Sequence, residues 1–425
     1  MKRNSKSALL LCAMIVATGC GDNGNQGTPA LAPLNGEAHF AVVSSDYSSS
    51  SVAMLDANFQ PIDESWINSG TTFPGLVATL SGDVILPSRQ AGDGTIALVD
   101  RLASDVVSRF YLPSGNLDGQ VGTQGPGFSS NPQDFVFVDE ASAWVPRYEQ
   151  NLDPSALPED QGTDLLEIEP STMTLTGGRI DLSSFNTTAT AMGDDGPVEV
   201  DVYARPSRVV LVGSILIVGL DRVSANFDAA GPGMVAVVDL GDQSVEGLLL
   251  GDGLKNCGNA VPVPGAPNRV IVSCLGFSQT FGDEAETRAS AGVVLLAVDS
   301  EGATIETTWR ASTSESSAIA VNHLVALDES RVAGVDLGDF VAETGDALSI
   351  TNLGTGAQQL VHESVGAFEI GISAYDPDSE KLFVPDGIES TVIEYAISTE
   401  GATEIGSIQL APELGLPPRR AYLLD

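Results

Sequence analysis

Short apolar segments separated by Gly, Asp and Ser turns recur along the chain from about residue 39 to its end. Within each segment Val, Ile and Leu occur in pairs or alternate with polar residues, and almost no segment has a helical period. Such a pattern predicts an all-β fold built from many short strands. Seven units are counted, and their predicted third strands are Ser51–Asp56, Thr95–Asp100, Asp164–Glu169, Met234–Asp239, Val293–Asp299, Ala347–Asn352 and Thr391–Ala396.

The two ends of the chain complement each other. Most units begin with an apolar segment such as Asn131–Asp139 or Arg205–Gly213, but the first unit starts directly at His39 without one. The tail Pro417–Asp425 has the character of the missing segment. A chain whose tail supplies the strand that its head lacks closes into a ring of repeated sheets. We therefore predict a seven-bladed β-propeller in which the C-terminal strand completes the first blade, with 421–424 alongside 40–43.

The lengths of the loops predict two different faces. In a four-stranded blade, the connection from strand two to strand three and the link to the next blade lie on one face, here called the long-loop face. The long insertions fall in this set, at Pro113–Ser130, Arg147–Thr163, Ser183–Ala204, Asp221–Gly233 and Leu275–Gly292. The opposite face, here called the short-turn face, carries short turns. We expect the long-loop face to contact a partner; the alternative is neutral drift at positions that tolerate insertion.

The last unit, Tyr375–Asp386 (YDPDSEKLFVPD), resembles the repeat of YVTN-type and lactonase-like seven-bladed propellers. Leu-Phe-Val-Pro-Asp occupies the place of the repeat motif. At the level of pattern, the resemblance covers most of the chain and implies the propeller fold. It also suggests a hydrolase or lyase acting at the mouth of the central channel, although no catalytic motif of that family matches residue by residue.

The first twenty residues have the pattern of a bacterial export signal. Lys2, Arg3 and Lys6 precede an apolar run over 8–16 that is too short to span a bilayer, and Ala17–Cys20 resembles a lipobox. We expect 1–19 to be a lipoprotein signal peptide, Cys20 to be lipidated, 20–38 to be a flexible tether and 39–425 to be the propeller. Gly21 after the cysteine favours anchoring at the bacterial outer membrane; ordinary cleavage of the signal is the alternative.

Two further cysteines, Cys257 and Cys274, flank a Pro/Gly cluster centred on Gly265. Folding the chain about this turn places the two cysteines opposite each other, and an exported chain meets an oxidising compartment. We therefore expect a Cys257–Cys274 disulfide. A reactive or metal-binding thiol pair is the alternative.

The charge of the chain is strongly acidic. Removing 1–19 takes away three of the 19 basic residues and none of the 57 acidic ones, so a net charge of −41 remains. This charge argues against nucleic acid and against adhesion to anionic lipid. We expect a monomer without a resident cofactor. Acidic loops such as Asp376–Glu380 could bind Ca²⁺, but none follows the calcium-loop pattern, and the three histidines have no metal-ligand spacing.

Alignment of the inner strands brings several side chains to the channel mouth on the long-loop face. The aligned positions are Arg420, Val77, Asp134, Arg208, Asn259 or Ala260, His323 and Gly371. Polar groups that converge on a concavity suit a small ligand, and the candidate ligand contacts are Asp134, Arg208, His323 and Arg420. The alternative is that Asp134 and Arg208 pair and seal the channel, with His323 a core histidine.

Two functions are consistent with these features. The first is a lipid-anchored, non-enzymatic envelope propeller that binds a protein or glycan through its long-loop face. The second is a lactonase-like hydrolase or lyase, in which His323 acts at the channel mouth and Arg208 or Arg420 holds an anion.

Overall fold

The computed structural model describes residues 33–72, 75–101, 104–112, 114–280, 282–314 and 318–424. Within them the chain forms seven four-stranded antiparallel sheets and one three-stranded sheet. The expected signal peptide, Cys20 and most of the expected tether lie outside the described residues. Leu34, in the range expected to be tether, is buried and packs against the core of the first sheet.

The four-stranded sheets are numbered here in chain order, with strands given from the inside outwards. Sheet 1 consists of Pro418–Leu423, Phe40–Ser45, Ser50–Leu55 and Pro61–Asn68. Sheet 2 consists of Val84–Ile85, Thr95–Asp100, Val106–Tyr111 and Leu117–Gly122. Sheet 3 consists of Val136–Asp139, Ser142–Gln150, Gly162–Glu169 and Thr174–Asp181. Sheet 4 consists of Pro206–Val212, Ile215–Leu220, Met234–Asp239 and Ser244–Leu249.

The remaining sheets continue the same order. Sheet 5 consists of Asn259–Val263, Ala266–Leu275, Ala291–Asp299 and Gly302–Arg310. Sheet 6 consists of Asn322–Ala326, Arg331–Asp336, Ala347–Asn352 and Gln358–Glu363. Sheet 7 consists of Ala374–Asp376, Lys381–Asp386, Thr391–Ser398 and Gly401–Ile408. The three-stranded sheet consists of Thr187–Gly193, Gly196–Tyr203 and Val223–Ser224. The helical segments are the α-helix Glu284–Ser290 and the 3₁₀ turns Pro158–Asp160, Ser183–Phe185, Ala311–Thr313 and Pro412–Leu414.

The ring closes as the sequence predicts. Pro418–Leu423 pairs antiparallel with Phe40–Ser45, so that Val42 lies opposite Ala421 and Phe40 opposite Leu423. The same C-terminal strand also contacts sheet 7, where the backbone N–H of Ala421 donates to the carbonyl of Ile372 at 2.8 Å. The tail is therefore the inner strand of sheet 1, and the prediction of an all-β propeller closed by its C-terminal strand is confirmed.

The hydrophobic core lies between neighbouring sheets. Strands with apolar residues on both faces, such as Thr95–Asp100, are buried along their whole length, because each sheet packs against a neighbour on both sides. One such layer joins sheets 4 and 5, where Ile217 and Val235 pack with Val270 and Leu296. A layer that mixes aromatic and aliphatic side chains joins sheets 7 and 1, with Phe383 against Phe40 and Phe59. The sheets are thus fixed relative to one another by burial of apolar area.

Six of the seven predicted third strands occupy that position, and the one in sheet 2 is wrong. Thr95–Asp100 is the second strand of sheet 2, pairing with Val84–Ile85 on its inner side. Leu117–Gly122, which was expected to belong to a glycine-rich link, forms the fourth strand. Gly119 there lies against Met173 of sheet 3, and a Cβ at this glycine would come within 2.6 Å of the methionine Cβ. The glycine thus permits the close approach of two sheets.

The long loops lie on the predicted face. Between second and third strands, and between sheets, the chain runs through the long segments 69–83, 123–135, 151–161, 182–205, 221–233 and 276–290. The three-stranded sheet and the α-helix belong to this set. The short-turn face has one longer excursion, 86–94, between the first two strands of sheet 2. In the part of the chain that is described, no helix is long and apolar enough to cross a bilayer.

Candidate functional site: a central cavity lined by arginine

The inner strands enclose a cavity of about 630 Å³ at the centre of the ring. Its walls come from the first strands of sheets 1, 2, 4, 5, 6 and 7, together with Arg101 and Gln133 from connections on the long-loop face. A volume of this size suits a small organic molecule.

Three arginines, Arg101, Arg208 and Arg420, line this cavity, and none of the described residues lining it is acidic. The side chains of Arg208 and Arg420 are about one-seventh exposed and that of Arg101 about one-fifth. Burial lowers the pKa of Arg420, and the positive charges of Arg101 and Arg208 lower it further. The three guanidinium groups therefore act on one another through the cavity.

The carboxylates that balance these arginines lie outside the cavity lining. Asp83 accepts hydrogen bonds from Arg101 at 2.6 and 3.1 Å and lies 3.5 Å from Arg420. Asp134 lies 3.6 Å from Arg208. Asp83 and Asp134 thus pair with the arginines from behind the wall, and the buried carboxylate of Asp346 acts electrostatically on His323.

Asp134 is a structural residue that joins three segments. Its carboxylate is fully buried and accepts from the backbone N–H groups of Ser88, Phe135 and Val209, at 2.8, 2.9 and 2.9 Å. Burial lowers the pKa of Arg208, but the neighbouring Asp134 and Tyr422 together outweigh this and the pKa is raised overall. The ion pair foreseen from the sequence is present, and the guanidinium still reaches the cavity.

His323 lies at the start of the inner strand of sheet 6 with a backbone φ of 48°. The strand register shifts between Asn322 and Val325, and such an irregularity re-aims a side chain. The ring nitrogen Nδ1 lies 2.9 Å from the carbonyl oxygen of Ile370. Because a carbonyl only accepts, Nδ1 carries the hydrogen and Nε2 is left with its lone pair in the neutral ring. Burial lowers the pKa of His323, which favours this neutral form.

One further polar group of the cavity has no hydrogen-bond partner. The Oγ atom of Ser373, a residue that is 4% exposed, is buried and unsatisfied, whereas the hydroxyl of Tyr422 lies beside Arg208. A buried polar atom without a partner costs free energy, so Ser373 is available to a bound ligand.

The structure thus brings together three of the four side chains expected at the channel mouth: Arg208, His323 and Arg420. Asp134 lies behind the wall, and Val77 is 89% exposed on the link between sheets 1 and 2. The position predicted for Val77 is occupied by the segment that follows Val84–Ile85. There the carbonyl of Leu86 accepts a hydrogen bond from Arg208, and Ser88 lines the cavity. Sequence reasoning missed Arg101 because it assigned the preceding strand one place too far out in its sheet.

The Cys257–Cys274 disulfide is formed, and both residues are buried. Its partners join the link between sheets 4 and 5 to the second strand of sheet 5. Among the described residues no group of three or more His, Cys, Asp and Glu is arranged to hold a metal ion. In the acidic loop 376–380 the Asp376 carboxylate accepts from the backbone N–H groups of Asp378 and Ser379, so it stabilises its own turn.

Comparison with known proteins gives a fold and no closer relationship. No protein-family model matches the sequence, and no curated protein matches it. Among solved structures, a putative 6-phosphogluconolactonase from Bacteroides fragilis is 11% identical with a TM-score of 0.51, covering 95% of this chain and 100% of that one. The periplasmic gluconolactonase of Pseudomonas aeruginosa is 12% identical with a TM-score of 0.52, covering 90% and 98%. A protein from Lactobacillus plantarum is 12% identical with a TM-score of 0.54, covering 91% and 99%. The chain therefore has the β-propeller fold of lactonase-like proteins.

Proposed function

We propose that this protein binds a small organic anion in its central cavity. The observation that carries the proposal is the segregation of charge: the chain has 57 acidic residues, yet of the described residues that line the cavity three are arginines and none is acidic. On an otherwise acidic protein, these arginines make the cavity a place that attracts an anion. Guanidinium groups in a partly buried site bind carboxylates with charge-assisted hydrogen bonds.

Calorimetric titration of the protein with acetate, gluconate and inorganic phosphate, at constant ionic strength, tests this proposal. We expect at least one of these anions to bind. We also expect Arg420→Gln or Arg101→Gln to weaken the binding of that anion at least tenfold. Arg419→Gln is the matched control, because Arg419 precedes Arg420 but pairs with Glu369 outside the cavity. Binding that is equally sensitive to Arg419→Gln, or absent for all three anions, would overturn the proposal.

A second function, hydrolysis of a lactone, is favoured by the state of His323. A neutral imidazole with a free Nε2 lone pair can take a proton from water while the water oxygen attacks the lactone carbonyl. The arginines would stabilise the developing oxyanion, and the ring oxygen would leave with the proton returned by His323, so that lactone and water give one hydroxy acid. The lactonase-like fold supports this function only by analogy.

Assay of δ-gluconolactone opening, corrected for the spontaneous rate, tests this second function. His323→Gln keeps the volume of the side chain and removes the base, so we expect a loss of at least a hundredfold in kcat with little change in KM. If the rate of the wild-type protein equals the spontaneous rate, or if His323→Gln leaves kcat unchanged, hydrolysis by His323 is wrong.

A separate observation favours a protein partner on the long-loop face, where the sequence predicted one. Phe340 and Phe368 stack with ring centroids 5.1 Å apart while 72% and 46% exposed. Val341, Val365 and Ile388, in the same set of loops, are also exposed. An exposed apolar cluster of this kind is typical of an interaction surface.

The chemistry of that partner follows from the surrounding charges. Asp339, Glu343 and Glu389 lie in the loops that carry the cluster. A partner that presents apolar side chains flanked by lysine or arginine would complement it. We expect a synthetic peptide of alternating Leu and Lys to bind more tightly than its Ser/Lys analogue, and Phe340→Ser with Val365→Ser to remove the difference. Ile405→Ser, on an outer strand, is the control; loss of the difference there as well would contradict a specific surface.

Anchoring at the bacterial outer membrane through a lipidated Cys20 remains our proposal for localisation. Mass spectrometry of the mature N-terminus, with Cys20→Ser as the control, tests lipidation directly.

A further inference from the structure

The walls of the central cavity change character along the inner strands. Each of these strands runs from the long-loop face towards the short-turn face. The lining residues near the beginnings are polar or cationic, among them Arg208, Asn259, Asn322, His323, Ser373 and Arg420. Those at or just after the ends are mostly apolar, namely Val263, Pro264, Ala326, Pro377 and Leu423, with Ser88 a polar exception. The cavity therefore has a cationic end and an apolar end.

A second, smaller cavity extends the apolar end. It has a volume of about 230 Å³ and shares Pro87, Ser88, Pro262 and Leu423 with the main cavity. Much of the rest of its wall is the apolar run Val209, Val210 and Leu211 of sheet 4, with Arg89 and Gln90 of the 86–94 excursion. Space for an elongated apolar group is thus present beyond Arg101, Arg208 and Arg420, along the side of this second cavity that Val209, Val210 and Leu211 form.

We propose that the ligand is an amphipathic monocarboxylic acid, with its carboxylate among the arginines and its apolar chain or ring directed towards Val325 and Leu423. This inference rests on the proposed function and names its ligand class.

A polyhydroxylated acid fits these walls less well. Its hydroxyl groups would lie against Val263, Pro264 and Ala326, which offer no side-chain hydrogen-bond partner, and a buried hydroxyl without a partner is costly. An alkyl or aryl group removes apolar surface of both ligand and wall from water. The amphipathic wall therefore discriminates between acids that share the same carboxylate.

Calorimetric titration with octanoate, gluconate and octan-1-ol tests the inference on the whole mature protein. We expect octanoate to bind at least tenfold more tightly than gluconate, because of its apolar chain. We also expect it to bind at least tenfold more tightly than octan-1-ol, because only octanoate carries the charge.

Variants at the apolar end of the cavity separate the contribution of the ligand's apolar chain from that of its carboxylate. Val325 lines the cavity, is only partly buried and belongs to none of the hydrophobic core clusters of the described residues. We therefore expect Val325→Asn to weaken the binding of octanoate about tenfold and to leave the binding of gluconate unchanged. Leu423→Asn serves the same purpose if Val325→Asn fails to fold, and Val198→Asn, at an exposed position of the three-stranded sheet, is the control.

The outcomes distinguish this inference from the proposed function. In one outcome gluconate binds as tightly as octanoate, neither apolar-end variant changes the affinity, and Arg101→Gln still weakens binding. That result would overturn the amphipathic ligand but not the binding of an anion. If octan-1-ol binds as tightly as octanoate and Arg101→Gln does not change the affinity for octanoate, both the amphipathic ligand and the proposed anion binding are wrong. Octanoate binding more tightly than both gluconate and octan-1-ol, and being weakened by Val325→Asn and by Arg101→Gln, supports both.

Discussion

The carboxylate of Asp134 accepts a hydrogen bond from the backbone N–H of Val209 at 2.9 Å, across the boundary between sheets 3 and 4. The same carboxylate binds the N–H of Ser88 from sheet 2. A single buried side chain therefore joins the inner edges of three consecutive sheets, close to where Arg208 enters the cavity.

Asp134→Ala is expected to destabilise the protein by about 3–5 kcal/mol, since it leaves buried N–H groups unsatisfied and Arg208 without its counter-charge. Chemical denaturation measures the loss. Asp139→Ala is the control, because Asp139 is exposed and accepts only from the N–H groups of its own turn; we expect less than about 1 kcal/mol there. Equal losses for the two variants would show that Asp134 does not join the sheets.

Closure of the ring predicts a cross-link between the two ends of the chain. Val42 and Ala421 are directly opposite in sheet 1, and facing residues of an antiparallel pair lie within reach of a disulfide. We expect Val42→Cys with Ala421→Cys to oxidise spontaneously and to show no more free thiol than the wild-type protein after unfolding. Each single variant should show one additional thiol, and an additional pair of thiols in the double variant would contradict the closure.

The buried disulfide predicts resistance to reductant together with a measurable contribution to stability. Because Cys257 and Cys274 are 0% exposed, dithiothreitol should reduce them only when denaturant is present. Replacing both by Ser is expected to lower the free energy of unfolding by about 3 kcal/mol on the loop-entropy model. Rapid reduction of the native protein would show that this region opens without global unfolding.

Asp221 predicts a pH dependence of stability. Burial raises its pKa to about 6, against the opposing effects of Tyr148 and Arg205. The folded protein therefore holds a proton that the unfolded chain, with a usual pKa near 3.8, has lost, and stability falls as pH rises between about 4 and 6.

Asp221→Asn removes this titration. Above pH 6 we expect the variant to be more stable than the wild-type protein by about 1–2 kcal/mol, since one pKa unit corresponds to about 1.4 kcal/mol and partial exposure reduces the effect. The difference should disappear below about pH 4. Denaturation curves from pH 4 to 8 measure it, and a difference that does not vary with pH would count against Asp221 as the group responsible.

The limits of sequence reasoning appear in sheet 2. The apolar run near Val77 has the composition of an inner strand, while Leu117–Gly122 is polar and rich in glycine, so local pattern favours the wrong assignment. In the structure Leu117–Gly122 is nevertheless the fourth strand of sheet 2. A fourth strand needs to bury little of its surface, here chiefly Val121, and Gly119 allows Met173 of sheet 3 to approach closely. Burial by a neighbouring sheet, which no local pattern encodes, decided the register.

The sequence by itself determined the repeated strands, the closure of the ring by its tail and the Cys257–Cys274 pair, because each depends on apolar alternation, turn residues and spacing within one or two strands. Only the tertiary structure decided that Arg101, Arg208 and Arg420 meet in one cavity and that their carboxylates stand behind them. These residues are far apart in the chain, and their convergence depends on how each inner strand is placed by the sheets that pack on both of its sides.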